Sequence, residues 1–136
     1  MRENNNKKLA SEWFDRADED WGVAQLLYDE RSYQAASCYH CHQAAEKYLK
    51  GFLVFNGKDI EKEFKIHSLV KLFDYCKELS KGFSQEFKKS CYFLNKYYIE
   101  TRYPGEIEEY SWKEVEKALK TMNIIRDKIL KICNIF

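Results

Sequence analysis

The stretch CYHCHQAAEKYLKG, residues 38–51, decides the fold. Its first five letters hold two cysteines and two histidines, the donors of a metal site, whereas QAAEKYLKG is the pattern of an amphipathic helix. Set on a helical wheel at about 100° per residue, Cys38, Cys41, His42, Ala45, Leu49, Phe52 and Leu53 fall on one arc, with Ala35 at its edge. Cys38, Cys41 and His42 could meet around a metal, being three and four residues apart. A structural zinc site takes a second ligand pair, however, and Cys76, Cys91 and Cys133 each stand without a Cys or His at ligand spacing. The stretch therefore reads as a helix whose conspicuous letters face a core, the cysteines packing as small hydrophobes. No metal or cofactor is expected, and His42 is expected to satisfy its ring nitrogens locally.

Outward from there, apolar residues recur at three and four throughout a chain with one proline and five glycines, a helical period with few breaks. Ala10, Trp13, Phe14, Ala17, Trp21, Ala24, Leu27 and Tyr28 predict a first helix over Lys8 to Glu30. The second should begin near Ser32 or Tyr33 and stop at Asn56-Gly57. Lys58 to Lys65 reads as a loop with room for a helical turn. A third helix carries Leu69, Leu72, Phe73, Cys76 and Leu79. A fourth, with Phe87, Cys91, Leu94 and Tyr98 on one side, must finish before Pro104. The last opens on Ser111 and Glu114 at capping-box spacing and continues through Val115, Leu119, Met122, Ile125, Ile129 and Ile132. The economical fold is all-α, an up-and-down bundle of four or five helices forming one domain over 1–136, with its core at about 8–133.

The 136 residues suit one domain, and 23 basic against 22 acidic side chains leave a formal charge of +1. No overall field advertises a nucleic acid or a membrane, so any such partner must be met locally. The longest apolar run, Phe52 to Phe55, is far short of the roughly 20 residues of a membrane span. An odd cysteine count and a polar N-terminal segment predict reduced thiols in a cytoplasmic protein.

Beside the core arc lies a second stripe, Tyr39, Gln43, Glu46 and Lys50, spaced at four, three and four. As a solvated flank it would hold an exposed Glu46/Lys50 pair worth a few tenths of a kcal/mol. As a functional face it would gather a phenol, an amide, a carboxylate and an ammonium for a ligand or partner. Spacing alone favours the flank, because most helix charge serves solubility. At the end of the fourth helix, Arg102 offers a planar fork for phosphate or carboxylate and Tyr103 a stacking face, both beside the Pro104-Gly105 turn. An arginine there also suits a helix C-terminus, so both readings stay open.

The ordered set WFDRADEDWGVAQLLY, SYQAASCYHCHQAAEKYLKGFLVFNG, KIHSLVKLFDYC and YYIETRYPGE resembles the HEPN family, named for its occurrence in higher eukaryotes and prokaryotes and its supposed nucleotide binding. The resemblance spans about Trp13 to Lys131. It implies a helical bundle, commonly homodimeric and often encoded beside a minimal nucleotidyltransferase as half of a toxin–antitoxin pair. The positions matching the family are Gln43, Glu46 and Lys50, His67 in IHSL, and Arg102, Tyr103 and Pro104. Members that cleave RNA without metal carry an arginine, four to six residues, then a histidine. This chain has no such pair: eight residues separate Arg31 from His40, and Tyr103 to Tyr110 contains no histidine.

Two functions follow as expectations. One is a non-catalytic, homodimeric binding partner of a minimal nucleotidyltransferase, with nucleotide or RNA as a further ligand, using Tyr39, Gln43, Glu46, Lys50, His67, Arg102 and Tyr103. The alternative is a metal-independent ribonuclease built on His67, Arg102 and Tyr103, since histidine titrates near neutrality. Tyr92, Phe93, Tyr97 and Tyr98 spread around the fourth helix, which suggests an oligomer surface there. The role of His40 stays open.

Overall fold

A computed structural model describes residues 2–98 and 109–135. Among the described residues there are six helices and no strand: α1 (Arg2–Asp29), α2 (Gln34–Phe55), α3 (Ile60–Glu63), α4 (Leu69–Leu79), α5 (Gln85–Asn95) and α6 (Trp112–Ile132). Arg102, Tyr103 and Pro104 lie outside these residues. The all-α expectation holds, with the one-turn α3 inside the segment expected to be a loop.

The central element is α2, which packs against α1, α4, α5 and α6. All seven residues of its predicted core arc are buried, and Ala35 is half-buried. Beside that arc Ser37, Ala44, Tyr48 and Gly51 are also buried, with Ser37, Tyr48 and Gly51 meeting α1. Gly51 fixes how near the two helices come: a Cβ there would lie 2.8 Å from Phe14 Cδ1, and closer still to the next ring carbon. Between them, Ser37 Oγ donates to Ala24 O at 2.9 Å.

Helix ends follow local chemistry with three departures. Asn56-Gly57 stops α2 as expected: Gly57 takes φ 83° and the Lys58 amide returns to Leu53 O at 3.0 Å. The left-handed backbone allows the chain to satisfy the last carbonyls of the helix. First, α1 begins at Arg2 rather than Lys8, and its opening turns are mostly exposed. Second, α5 ends at Asn95, so Tyr98 lies beyond the helix, and the Asn95 side chain instead accepts the Leu69 amide at 2.8 Å. Third, the Ser111 capping box is half made. Ser111 Oγ accepts the Glu114 amide at 3.1 Å, while the Glu114 carboxylate goes to Lys96 and to the Tyr97 hydroxyl, both at 2.7 Å.

The aromatic spread on α5 resolves unevenly. Tyr97 is buried and Phe93 half-buried, leaving Tyr92 as the one that protrudes.

Candidate functional site

The second stripe of α2 is not a solvated flank. Glu46 and Lys50 are 5 % and 6 % exposed, and Lys50 Nζ donates to Glu46 Oε2 at 3.0 Å. The expected exposed pair is therefore a buried one, because the segment ahead of α4 lies over it. His67, two residues before Leu69, places Nδ1 3.1 Å and 3.3 Å from the two Glu46 oxygens. His42 Nδ1 stands 4.0 Å from the same carboxylate. One buried carboxylate thus collects an ammonium and faces two imidazoles.

Local structure positions His67. Ser68 caps α4 by accepting the Lys71 amide at 3.3 Å, and the Asn95 contact anchors the Leu69 amide. Buried Phe64 secures the other end of the segment. On the outer side, the Tyr98 ring stacks on His67, centroids 4.6 Å apart and planes 13° apart, and lies 5.6 Å from His42. The His67 side chain is nevertheless 49 % exposed. An imidazole whose Nδ1 faces a carboxylate keeps its proton there, leaving Nε2 as a lone pair. That atom has no protein partner among the described residues.

His42 departs from expectation. It is fully buried, with Nδ1 3.3 Å from Gln43 Oε1, but Nε2 finds no hydrogen-bond partner among the described residues. Burial pulls its pKa down, against the opposing effects of Glu46, Gln43 and the His67 main chain. The ring is neutral, which suits a group this far from water.

Of the seven residues expected to bind, the structure brings Lys50 and His67 onto the Glu46 carboxylate, while Gln43 meets the neighbouring His42 ring. Tyr39 is half-buried one turn before Gln43. Arg102 and Tyr103 lie outside the described residues, so their approach to His67 is not described. Among the described residues no group of His, Cys, Asp and Glu side chains is arranged to hold a metal ion. Cys38, Cys41, Cys76, Cys91 and Cys133 are all free and buried. Burial pushes the Cys91 and Cys133 thiols up to about 12, so they pack as apolar groups.

Sequence reasoning missed a second cluster, on the seam of α1 and α2. Asp20, 9 % exposed, receives His40 Nδ1 at 2.9 Å and Lys47 Nζ at 2.5 Å. Beside it, Asp18 accepts the Tyr48 hydroxyl and, at 3.2 Å, Arg126 Nε from α6. The available signal was His40 and Lys47 seven apart, hence on one face of α2; their partner sits twenty residues upstream on another helix.

A helical bundle with a carboxylate-held histidine at the edge of its central helix is the class of protein these features define. The chain belongs to the HEPN domain family, whose model matches residues 10–133. The structure is similar to TT1696 from Thermus thermophilus, at 27 % identity and a TM-score of 0.75, covering 90 % of this chain and 96 % of that one. It also shares its fold with ST0689, an archaeal HEPN homologue, at 24 % identity and a TM-score of 0.72, covering 91 % and 97 %. Among curated proteins none matches the sequence. Among the described residues no helix is long and apolar enough to cross a membrane.

Proposed function

We propose that the chain is a non-catalytic HEPN module, one domain over 1–136, that acts as a homodimer and partners a minimal nucleotidyltransferase in a cytoplasmic toxin–antitoxin-like pair. The Glu46 cluster is its ligand or partner contact, and the residues that bind are Tyr39, Gln43, Glu46, Lys50, His67, Arg102 and Tyr103. The observation that carries the reading is the buried Glu46 carboxylate, which holds a half-exposed His67 in fixed orientation while Lys50 compensates its charge. Such a group is preorganised for recognition. The absence of the arginine–histidine ribonuclease pair from the sequence supports binding over cleavage. Five free cysteines suit a reducing compartment.

Co-expression with a nucleotidyltransferase encoded beside the chain tests this. A stable complex is expected, weakened in His67→Ala; no association with such a neighbour would refute the pairing. One observation favours a second reading, a ribonuclease: the unpartnered Nε2 of His67 could take a ribose proton. Purified protein on mixed RNA, with His67→Ala alongside, decides between them. Cleavage lost in the variant would replace the binding module with the enzyme.

A further inference from the structure

Outside the Glu46 site, the cluster on the α1/α2 seam has the parts of a nucleophilic centre. Asp20 is buried, yet both of its partners reach outward, His40 with 29 % and Lys47 with 27 % of the side chain exposed. A histidine serving only to fasten α1 to α2 has no need of that exposure, and His42, the buried histidine of the same helix, has none. With Nδ1 held by Asp20, the His40 proton stays on that nitrogen and the lone pair sits on Nε2. Nε2 has no protein partner among the described residues. Lys47 shares the carboxylate from the same face of α2, two turns further on. His40 and Lys47 offset the burial of Asp20 and lower its pKa, so the carboxylate is ionised at neutral pH. All three groups stand on the two helices that share the most extensive contact in the fold.

We propose that His40 is a phosphoryl-accepting histidine, taking the group on Nε2 from a small acyl phosphate or phosphoramidate, with Asp20 and Lys47 as positioning residues. The Nε2 lone pair attacks phosphorus and an N–P bond forms as the bond to the leaving group breaks. The leaving group, a carboxylate from an acyl phosphate or ammonia from the N-protonated phosphoramidate, departs with the electron pair. The positive charge on the ring is stabilised by Asp20, to which Nδ1–H remains hydrogen-bonded and can yield its proton. Lys47, bound to the other Asp20 oxygen at 2.5 Å, holds that carboxylate in place against His40. No oxidant or reductant is involved.

The experiment incubates the full chain with acetyl phosphate or, separately, phosphoramidate, and follows intact mass and peptide maps. The expected result is one phosphoryl group, acid-labile and base-stable, on the peptide containing His40. It should be absent from His40→Gln and present in the exposed-site variant Lys89→Ala, and Asp20→Asn should gain it about tenfold or more slowly. Circular dichroism establishes that each variant is folded, and Lys47→Gln provides a second positioning variant should Asp20→Asn unfold. No acid-labile phosphate, phosphate persisting in His40→Gln, or an unchanged rate in folded Asp20→Asn or Lys47→Gln would overturn the assignment and leave a structural staple.

Discussion

The two carboxylate clusters on α2 use the same chemistry in opposite settings. Glu46 draws Lys50 from its own helix, seals it from water, and reaches one outside residue, His67. Asp20 belongs to α1 and draws both partners from α2, leaving them partly wet. A buried ammonium depends on its counter-ion for its solvation, whereas a partly exposed one can turn to water. The Glu46 cluster should therefore matter most for integrity, and the Asp20 cluster for fastening two helices whose closeness Gly51 sets.

The largest effect should come from Glu46→Ala, which strands Lys50 without a counter-ion and costs about 3–5 kcal/mol. Urea unfolding should show the loss, and His67→Ala should lose much less, since the Lys50 contact survives. A small loss in Glu46→Ala would mean that Lys50 escapes to solvent and that the two clusters do not differ. Next comes Gly51→Ala, where the new Cβ runs into the Phe14 ring. Overpacking of this kind costs about 1–3 kcal/mol and outweighs the roughly 1 kcal/mol gained in helix propensity. A lowered Tm is expected; a raised one would show that Phe14 yields easily.

Acidification separates the clusters further. Because burial lowers the His42 pKa, the unfolded chain takes up the proton first. Stability contributed by this group falls as the pH drops through 6.5, its ordinary value, and the slope in that range should diminish in His42→Leu. Asp20 responds in the same direction, but at lower pH. Its carboxyl is lower in the folded chain, so its contribution is complete above 3.8 and disappears as the pH falls below it. Asp20→Asn should be the less stable protein at neutral pH and should converge on the native chain in acid; a constant gap would mean that Asp20 acts without its charge. The smallest effect is expected for Lys89→Ala on α5, whose ion pair with Glu86 is exposed on both sides. No measurable change in Tm should follow.

How much could be read beforehand depended on how local the cause was. The Asn56-Gly57 stop and the serine cap of α6 are written in neighbouring residues, so they appeared at the predicted places. Glu114 shows the limit. Its spacing from Ser111 predicted a reciprocal cap, but Lys96 and Tyr97, just past the end of α5, captured the carboxylate. The family positions Gln43, Glu46, Lys50 and His67 were legible as residues, whereas their convergence was not, because 21 positions separate His67 from Glu46.

The sequence by itself determined the helices and the inward arc of α2, because a period of about 3.6 residues states which side chains share a face. Through that same period it also placed Cys38, Cys41 and His42 in the core. Only the tertiary structure decided that Glu46 and Lys50 are buried, that His42 Nε2 has no partner among the described residues, and that His40 meets Asp20. A wheel shows which residues stand together on a helix, but the water they keep or lose depends on what another part of the chain lays over them.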